Sequence, residues 1–223
     1  MTANEWSRRL THARVEYDRL WRYVDDELYA LCAKYPEHGS LGHVAAKVTL
    51  IGRSYASGIE RQMTAGDDGS QGLVKLVEWM HAHGDAIDRL LVRLRPYAEP
   101  LTAEYVALAA DVHLRMLELL QPAVAPSRTP RSFVSKYLHF HAPLTPIYDS
   151  IAWTAITPLV RKKDIDPGMV PVHGDSDYVD YLKRFWTLYQ QAQMVSRNPV
   201  SVKLLDYALL TWHNASVPGS TPA

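Results

Sequence analysis

Apolar residues along this chain return at steps of three and four, and hardly anywhere at steps of two. Trp6, Leu10, Ala13, Tyr17, Leu20, Val24, Leu28 and Leu31 form one stripe, which predicts a single long helix over about residues 4–34. Pro36 and Gly39 end it. Val44, Val48, Ile51, Tyr55 and Ile59 repeat the pattern in a second helix. A chain with this period buries its apolar surface by packing helix on helix. No alternating strand of useful length and no internal repeat is present, so the expected class is all-α, a multi-helix globular domain of eight to ten helices.

The breaks between helices are readable too. The stretch "TAGDDGSQG" is a loop by composition. Helices are expected at about 71–82, at about 86–96 after Asp85, and at about 103–121 after a Thr102 cap. The proline-rich "QPAVAPSRTP" marks a boundary between two helical lobes, near 121–130, within a single domain spanning 1–223. Thr129-Pro130 reads as an N-cap followed by proline at the first helical position. Phe133, Val134, Tyr137, Leu138 and His141 then share one face of a short helix, and "APLTPIYDS" breaks it. Asp149 or Ser150 caps the next helix, about 150–157, stopped near Pro158. After the polar "KKDIDPGMVPVHGDS", Ser176 opens a helix to about Val195, and Asn198-Pro199 starts a last one to about His213.

Composition narrows the class further. Hydrophobic residues make up 47% of 223, enough for a sizeable core. Cys32 has no second cysteine to pair with, which points to a reducing compartment. The polar N-terminus and the lack of a membrane-length apolar run predict a cytoplasmic protein without a membrane partner. Lys and Arg balance Asp and Glu at 24 each, which argues against a purely electrostatic nucleic-acid binder. The balance is uneven, however: from Pro126 onward there are 10 Lys and Arg against 7 Asp and Glu. Local basic groups stand at Arg128/Arg131/Lys136, Arg161/Lys162/Lys163 and Lys183/Arg184. Scattered solvated charge accounts for these as well as phosphate contacts do.

The segment "RSFVSKYLHFHAPLTPIYDSIAW" carries the chemistry. Lys136 lies mid-helix, off the traced apolar face, and Asp149 opens the following helix after a proline turn. That spacing can bring both side chains to one cleft. A desolvated lysine is an amine nucleophile for a sugar carbon or carbonyl. A carboxylate at a helix N-terminus is held ionised and suits a cationic centre such as an oxocarbenium ion. A plain helix cap with a paired lysine accounts for the same two residues. His139 and His141, two apart, fall on different helix faces and suit a core better than a metal. No P-loop, dinucleotide turn, nucleophile elbow or Cys/His cluster occurs, so no metal or organic cofactor is expected.

"SKYLHFHAPLTPIYDSIAW" resembles the lysine–helix–proline–aspartate segment of bacterial 8-oxoguanine DNA glycosylase-like proteins, divergent relatives of the helix–hairpin–helix glycosylases. "AAKVTLIGRSYASGIERQ" is similar to an N-terminal segment of such proteins. The resemblance implies an all-α glycosylase fold of two lobes with a cleft between them, and matches the catalytic lysine to Lys136, the aspartate to Asp149 and the turn proline to Pro146. The glycine-rich hairpin of that superfamily is replaced here by "PSRTPRSFVS", and the lysine–aspartate separation is shorter. The implied activity is excision of an oxidised purine such as 8-oxoguanine from DNA, with or without abasic-site lyase activity. Trp153, one turn after Asp149, is the candidate cleft aromatic, and Arg131, Arg161 and Lys162 are the candidate phosphate contacts. Gln190, Gln191 and Gln193 suit a base edge and a surface helix equally. Two other readings stay open: a non-catalytic helical module that binds nucleic acid or protein, and a glycosylase of free or modified nucleosides.

Overall fold

A computed structural model describes residues 3–59, 69–166 and 173–216, and every regular element among them is helical. Helix α1 (Ala3–Glu16) passes through a π-helical turn (Tyr17–Trp21) directly into α2 (Arg22–Lys34). Then come α3 (Leu41–Ser54), α4 (Gly69–Ala82), α5 (Gly84–Leu94) and α6 (Ala103–Leu120). Beyond the proline-rich connection lie α7 (Arg131–His141), α8 (Ser150–Leu159), α9 (Ser176–Val195) and α10 (Val202–Ser216). Among the described residues no helix is long and apolar enough to cross a membrane.

Helix α7 is the hub. Helices α2, α3 and α6 pack against it, and every residue from Phe133 to His141 is buried. That corrects the expectation of an amphipathic α7 with Lys136 off its apolar face. A helix enclosed by other elements buries its polar side chains as well, so each of these needs a partner. At the other end of the chain, α10 packs on α8 and on α1, which locks the last helix onto the first. The apolar core is continuous across the 121–130 connection: Leu117 and Leu120 before it and Phe133 and Val134 after it belong to one cluster.

The long first helix shows how one local irregularity redirects a surface. In the π turn the Arg22 N–H bonds to the Tyr17 carbonyl, five residues back rather than four. Trp6, Leu10 and Ala13 before the turn and Leu28 after it are buried as their period predicts, but Leu20, inside the turn, is 59% exposed. Asp25, just beyond the turn, enters the core fully buried.

Three further boundaries differ from the sequence reading. Helix α3 stops at Ser54 instead of running to Ile59, because Ala56 (φ 44°) and Gly58 (φ 63°) adopt left-handed conformations. The Ser57 N–H and hydroxyl both donate to the Gly52 carbonyl and seal the helix end. Helix α7 begins at Arg131, with Pro130 itself at the N-cap. Helix α10 begins at Val202, where the Ser201 hydroxyl accepts from the Leu204 N–H. Asn198-Pro199 remains outside it, since the Gln193 amide holds both the N–H and the carbonyl of Val200. Gln193 is thereby engaged in the fold. Asp149 and Thr102 cap α8 and α6 as expected. Of the "TAGDDGSQG" loop, residues up to 68 lie outside the described set, and α4 starts at Gly69.

The turn after α2 is held from inside. His38, fully buried, bonds through Nδ1 to Asp88 at 2.7 Å and accepts at Nε2 from the Tyr137 hydroxyl at 2.6 Å. Burial pushes the imidazole down to about 4, so it is neutral. Gly84 passes directly beside it: a Cβ there would lie 2.8 Å from His38 Cβ and 3.1 Å from its carbonyl oxygen. Gly84→Ala is therefore expected to cost about 1–3 kcal/mol through overpacking. In a calorimetric scan that is a drop of roughly 2–4 °C in Tm for each kcal/mol.

Candidate active site

Lys136 and Asp149 meet because their sequence neighbours are tied together. The Ser135 hydroxyl donates to the Tyr148 carbonyl and accepts from the Tyr148 N–H, at 3.2 and 3.0 Å. The intervening turn is fixed from three sides. The Thr145 carbonyl takes the His139 Nδ1–H at 2.7 Å, its hydroxyl bonds Tyr105 at 2.7 Å, and the Pro146 carbonyl accepts from Tyr178 at 2.8 Å. With the turn closed, Lys136 Nζ lies 3.4 Å from Asp149 Oδ2. The other carboxylate oxygen, Oδ1, accepts the Ala152 N–H at 2.8 Å and caps α8. Asp149 thus caps with one oxygen and faces the amine with the other. His139 and His141 are core residues: burial pushes His139 down to about 3 and His141 well below its ordinary value.

The amine's other partners come from outside the proline turn. Lys136 Nζ donates to the Tyr55 carbonyl at 2.9 Å and to the Ser132 hydroxyl at 3.0 Å. Its side chain is 3% exposed, against 21% for Asp149. Burial pushes the amine below the ordinary lysine range, and Asp149 pulls the other way. Both side chains line a cavity of about 360 Å³ whose walls include Tyr55, Ala56, Ser57, Arg131, Tyr148 and Ile151. Ala56 is the non-glycine residue with positive φ among those described, and it stands on this wall. Such strain persists only where the surroundings enforce it.

Behind the cavity lies a buried ionic cluster. The Tyr55 hydroxyl, whose residue supplies the carbonyl to Lys136, donates to Asp25 and accepts from Lys203 Nζ at 2.7 Å. Tyr17 donates to Asp25 at 3.0 Å. Lys203 Nζ also lies 3.4 Å from Asp25 and 3.3 Å from Asp206. Burial pushes Asp206 up from 3.8 to about 6, with Lys203 opposing. A carboxyl with a raised folded-state pKa binds its proton more tightly when folded. Stability contributed by the neutral acid is complete below the unfolded value and falls as pH rises towards about 6. Asp206→Asn is expected to remove that part of the pH slope in denaturant titrations, leaving the curve above this window parallel to that of the unaltered protein.

The remaining candidates fall in different places. Arg131 lines the cavity, but its guanidinium bonds Asp175 at 2.8 Å, pairs with Asp177 at 3.1 Å, and stacks on Tyr148. It ties the start of α7 to the start of α9. Trp153 is absent from the cavity lining: its ring lies 6.2 Å from that of Tyr148 and under the Arg184 guanidinium. Arg161 and Lys162 are exposed beyond the far end of α8, and Arg161 pairs with Asp164 at 3.2 Å. Helix α8, ten residues and so about 15 Å long, lies between them and Asp149 along the chain. The aromatic wall comes instead from Tyr148 and Tyr55. Tyr55 belongs to the "IGRSYASGIER" stretch, for which the sequence offered a resemblance but no chemical role. Arg61 and Glu60 of that stretch lie outside the described residues.

Among the described residues, no group of three or more His, Cys, Asp or Glu side chains is placed to hold a metal ion. A second groove, about 810 Å³, runs between α1, α9 and the 196–201 loop, where Arg14 donates to the Pro199 carbonyl. Comparison of the chain with protein-family models, with curated proteins and with solved structures found no match.

Proposed function

We propose that this chain is a base-excising N-glycosylase of the helix–hairpin–helix type, two helical lobes around a cleft, acting on an oxidised purine such as 8-oxoguanine in DNA. The observation that carries this reading is the Lys136–Asp149 pair, 3.4 Å apart in a concave site, with the amine stripped of water. In this mechanism the neutral Lys136 amine attacks C1′ of the sugar. The N-glycosidic bond breaks, and its electron pair leaves with the base, which takes up a proton. Asp149 Oδ2 faces the positive charge that develops on the sugar. Loss of the base and opening of the ring give an imine, from which β-elimination would supply lyase activity.

The test is covalent. Duplex and single-stranded oligonucleotides carrying 8-oxoguanine or an abasic site are incubated with the protein and borohydride. A reduced adduct on Lys136, identified by mass spectrometry, is the expected result. Folded protein that forms no adduct with any of these oligonucleotides would overturn the reading. One observation favours the alternative of a non-catalytic module: the three ammonium hydrogens already face three acceptors, Tyr55, Ser132 and Asp149. In that case the pair is a structural weld, and the oligonucleotides bind without chemistry or not at all.

Arg161 and Lys162 belong to this reading as contacts to the DNA backbone away from the reacting sugar. Reversing their charge is expected to flatten the log–log salt dependence of DNA binding by roughly 0.7–0.9 for each phosphate left without its cation. Single-turnover excision at saturating protein should be unchanged. A slope that does not move would place the DNA on another face.

A further inference from the structure

We propose that the Ser132 hydroxyl is the proton relay of the excision step: it takes a proton from the attacking Lys136 nitrogen and passes its own to the departing base. This deepens the glycosylase reading and rests on it. Ser132 and Lys136 stand four residues apart on α7, so their side chains share one face of the helix. The amine donates to the Ser132 hydroxyl at 3.0 Å, and both residues line the cavity. The serine stands on a fixed stretch of backbone. Its carbonyl accepts from the Ser135 hydroxyl that also bonds Tyr148, and Arg131 beside it is held by Asp175. Among the described residues the Ser132 hydroxyl accepts from Lys136 and donates to none, so its own hydrogen is available to whatever fills the cavity.

The excision step calls for such a group. When the neutral amine attacks C1′, the new C–N bond leaves the lysine nitrogen positively charged, with a proton to lose. The N-glycosidic bond breaks with its electron pair on the base, which needs a proton. Moving the first proton onto the Ser132 oxygen while the serine hydrogen moves to a base nitrogen satisfies both and returns the serine unchanged. The other two groups that face the amine lack one half of this exchange. The Tyr55 carbonyl accepts but has no hydrogen to give. A carboxylate is likewise an acceptor only, and Asp149 is committed through Oδ1 to the Ala152 N–H and through Oδ2 to the developing sugar cation. A hydroxyl accepts and donates at once. Thr129 and Ser150 also line the cavity, but among the described residues neither bonds the amine.

The experiment compares two reactions of Ser132→Ala. Single-turnover release of 8-oxoguanine from DNA requires a base to depart. Borohydride trapping on abasic DNA requires the amine but no departing base. Base release is expected to fall by roughly 10²-fold, the lower end of what a positioned proton-transfer group contributes. Trapping should stay near the rate of the unaltered protein, and Ser132→Thr, which keeps a hydroxyl, should recover most of the base release. Equal losses in the two reactions overturn the proposal, since they mark a serine that only holds the amine in place. Undiminished base release overturns it too. Should Ser132→Ala not fold, Ser132→Gly, which also lacks the hydroxyl, is compared in the same way. Unaltered protein that releases no base sinks the glycosylase reading and the relay with it, whereas equal losses in a protein that does release the base sink the relay alone.

Discussion

Lys136→Gln gives no borohydride-trapped adduct on abasic or 8-oxoguanine DNA, and the variant melts earlier than the unaltered protein. The first effect is complete, because the amide nitrogen of glutamine has no nucleophilic lone pair to form an imine. The second follows from burial. Lys136 is enclosed on α7 and holds the Tyr55 carbonyl, the Ser132 hydroxyl and Asp149. The shorter glutamine leaves part of that set unpartnered, a loss of about 1–3 kcal/mol. Circular dichroism at a temperature well below the transition separates the two effects. A native-like spectrum without adduct assigns the amine to the chemistry, whereas an adduct on another lysine removes Lys136 from the mechanism.

Asp149→Asn is expected to fold and to lose roughly 10²–10³ in single-turnover excision rate. Asparagine caps a helix as well as aspartate does, so the bond from the Ala152 N–H to Oδ1 survives. The change falls on the other oxygen. Oδ2 becomes an N–H₂ group turned towards the Lys136 ammonium 3.4 Å away, donor against donor. Lys136 is buried and loses its carboxylate, so the stability cost is about 1–3 kcal/mol. The large kinetic loss in a variant that still folds is what distinguishes the readings. Full excision by a normally folded Asp149→Asn variant would leave this carboxylate as a cap alone.

The helical class and most helix positions are legible in the sequence because the 3.6-residue period, proline, and capping side chains all act within a few residues. The ends of α6 and α9, the caps Thr102 and Asp149, and the placing of Lys136 and Asp149 on successive helices are all local facts. Where the structure departs from that pattern, the cause lies far along the chain. Leu20 lies inside a π turn and faces solvent, and Asp25, in the helical turn that follows, meets Tyr55 and Lys203, which are remote from it in sequence. Lys136 reads as exposed because its flanking residues show one apolar face. It is buried because α2, α3 and α6 enclose α7.

The site divides in the same way. Local pattern alone yields an all-α chain with an amine and a carboxylate separated by one helix turn and a proline loop. Contacts between distant segments close that loop through Ser135 and Tyr148, complete the amine's partners with the Tyr55 carbonyl, and occupy Arg131 with Asp175. Lys203 brings a further carboxylate, Asp206, into the buried cluster beside Asp25. Local propensity fixes where a helix begins and ends. The charge state of a buried group depends on which distant residues share its low-dielectric surroundings, and no window of neighbouring residues contains that information.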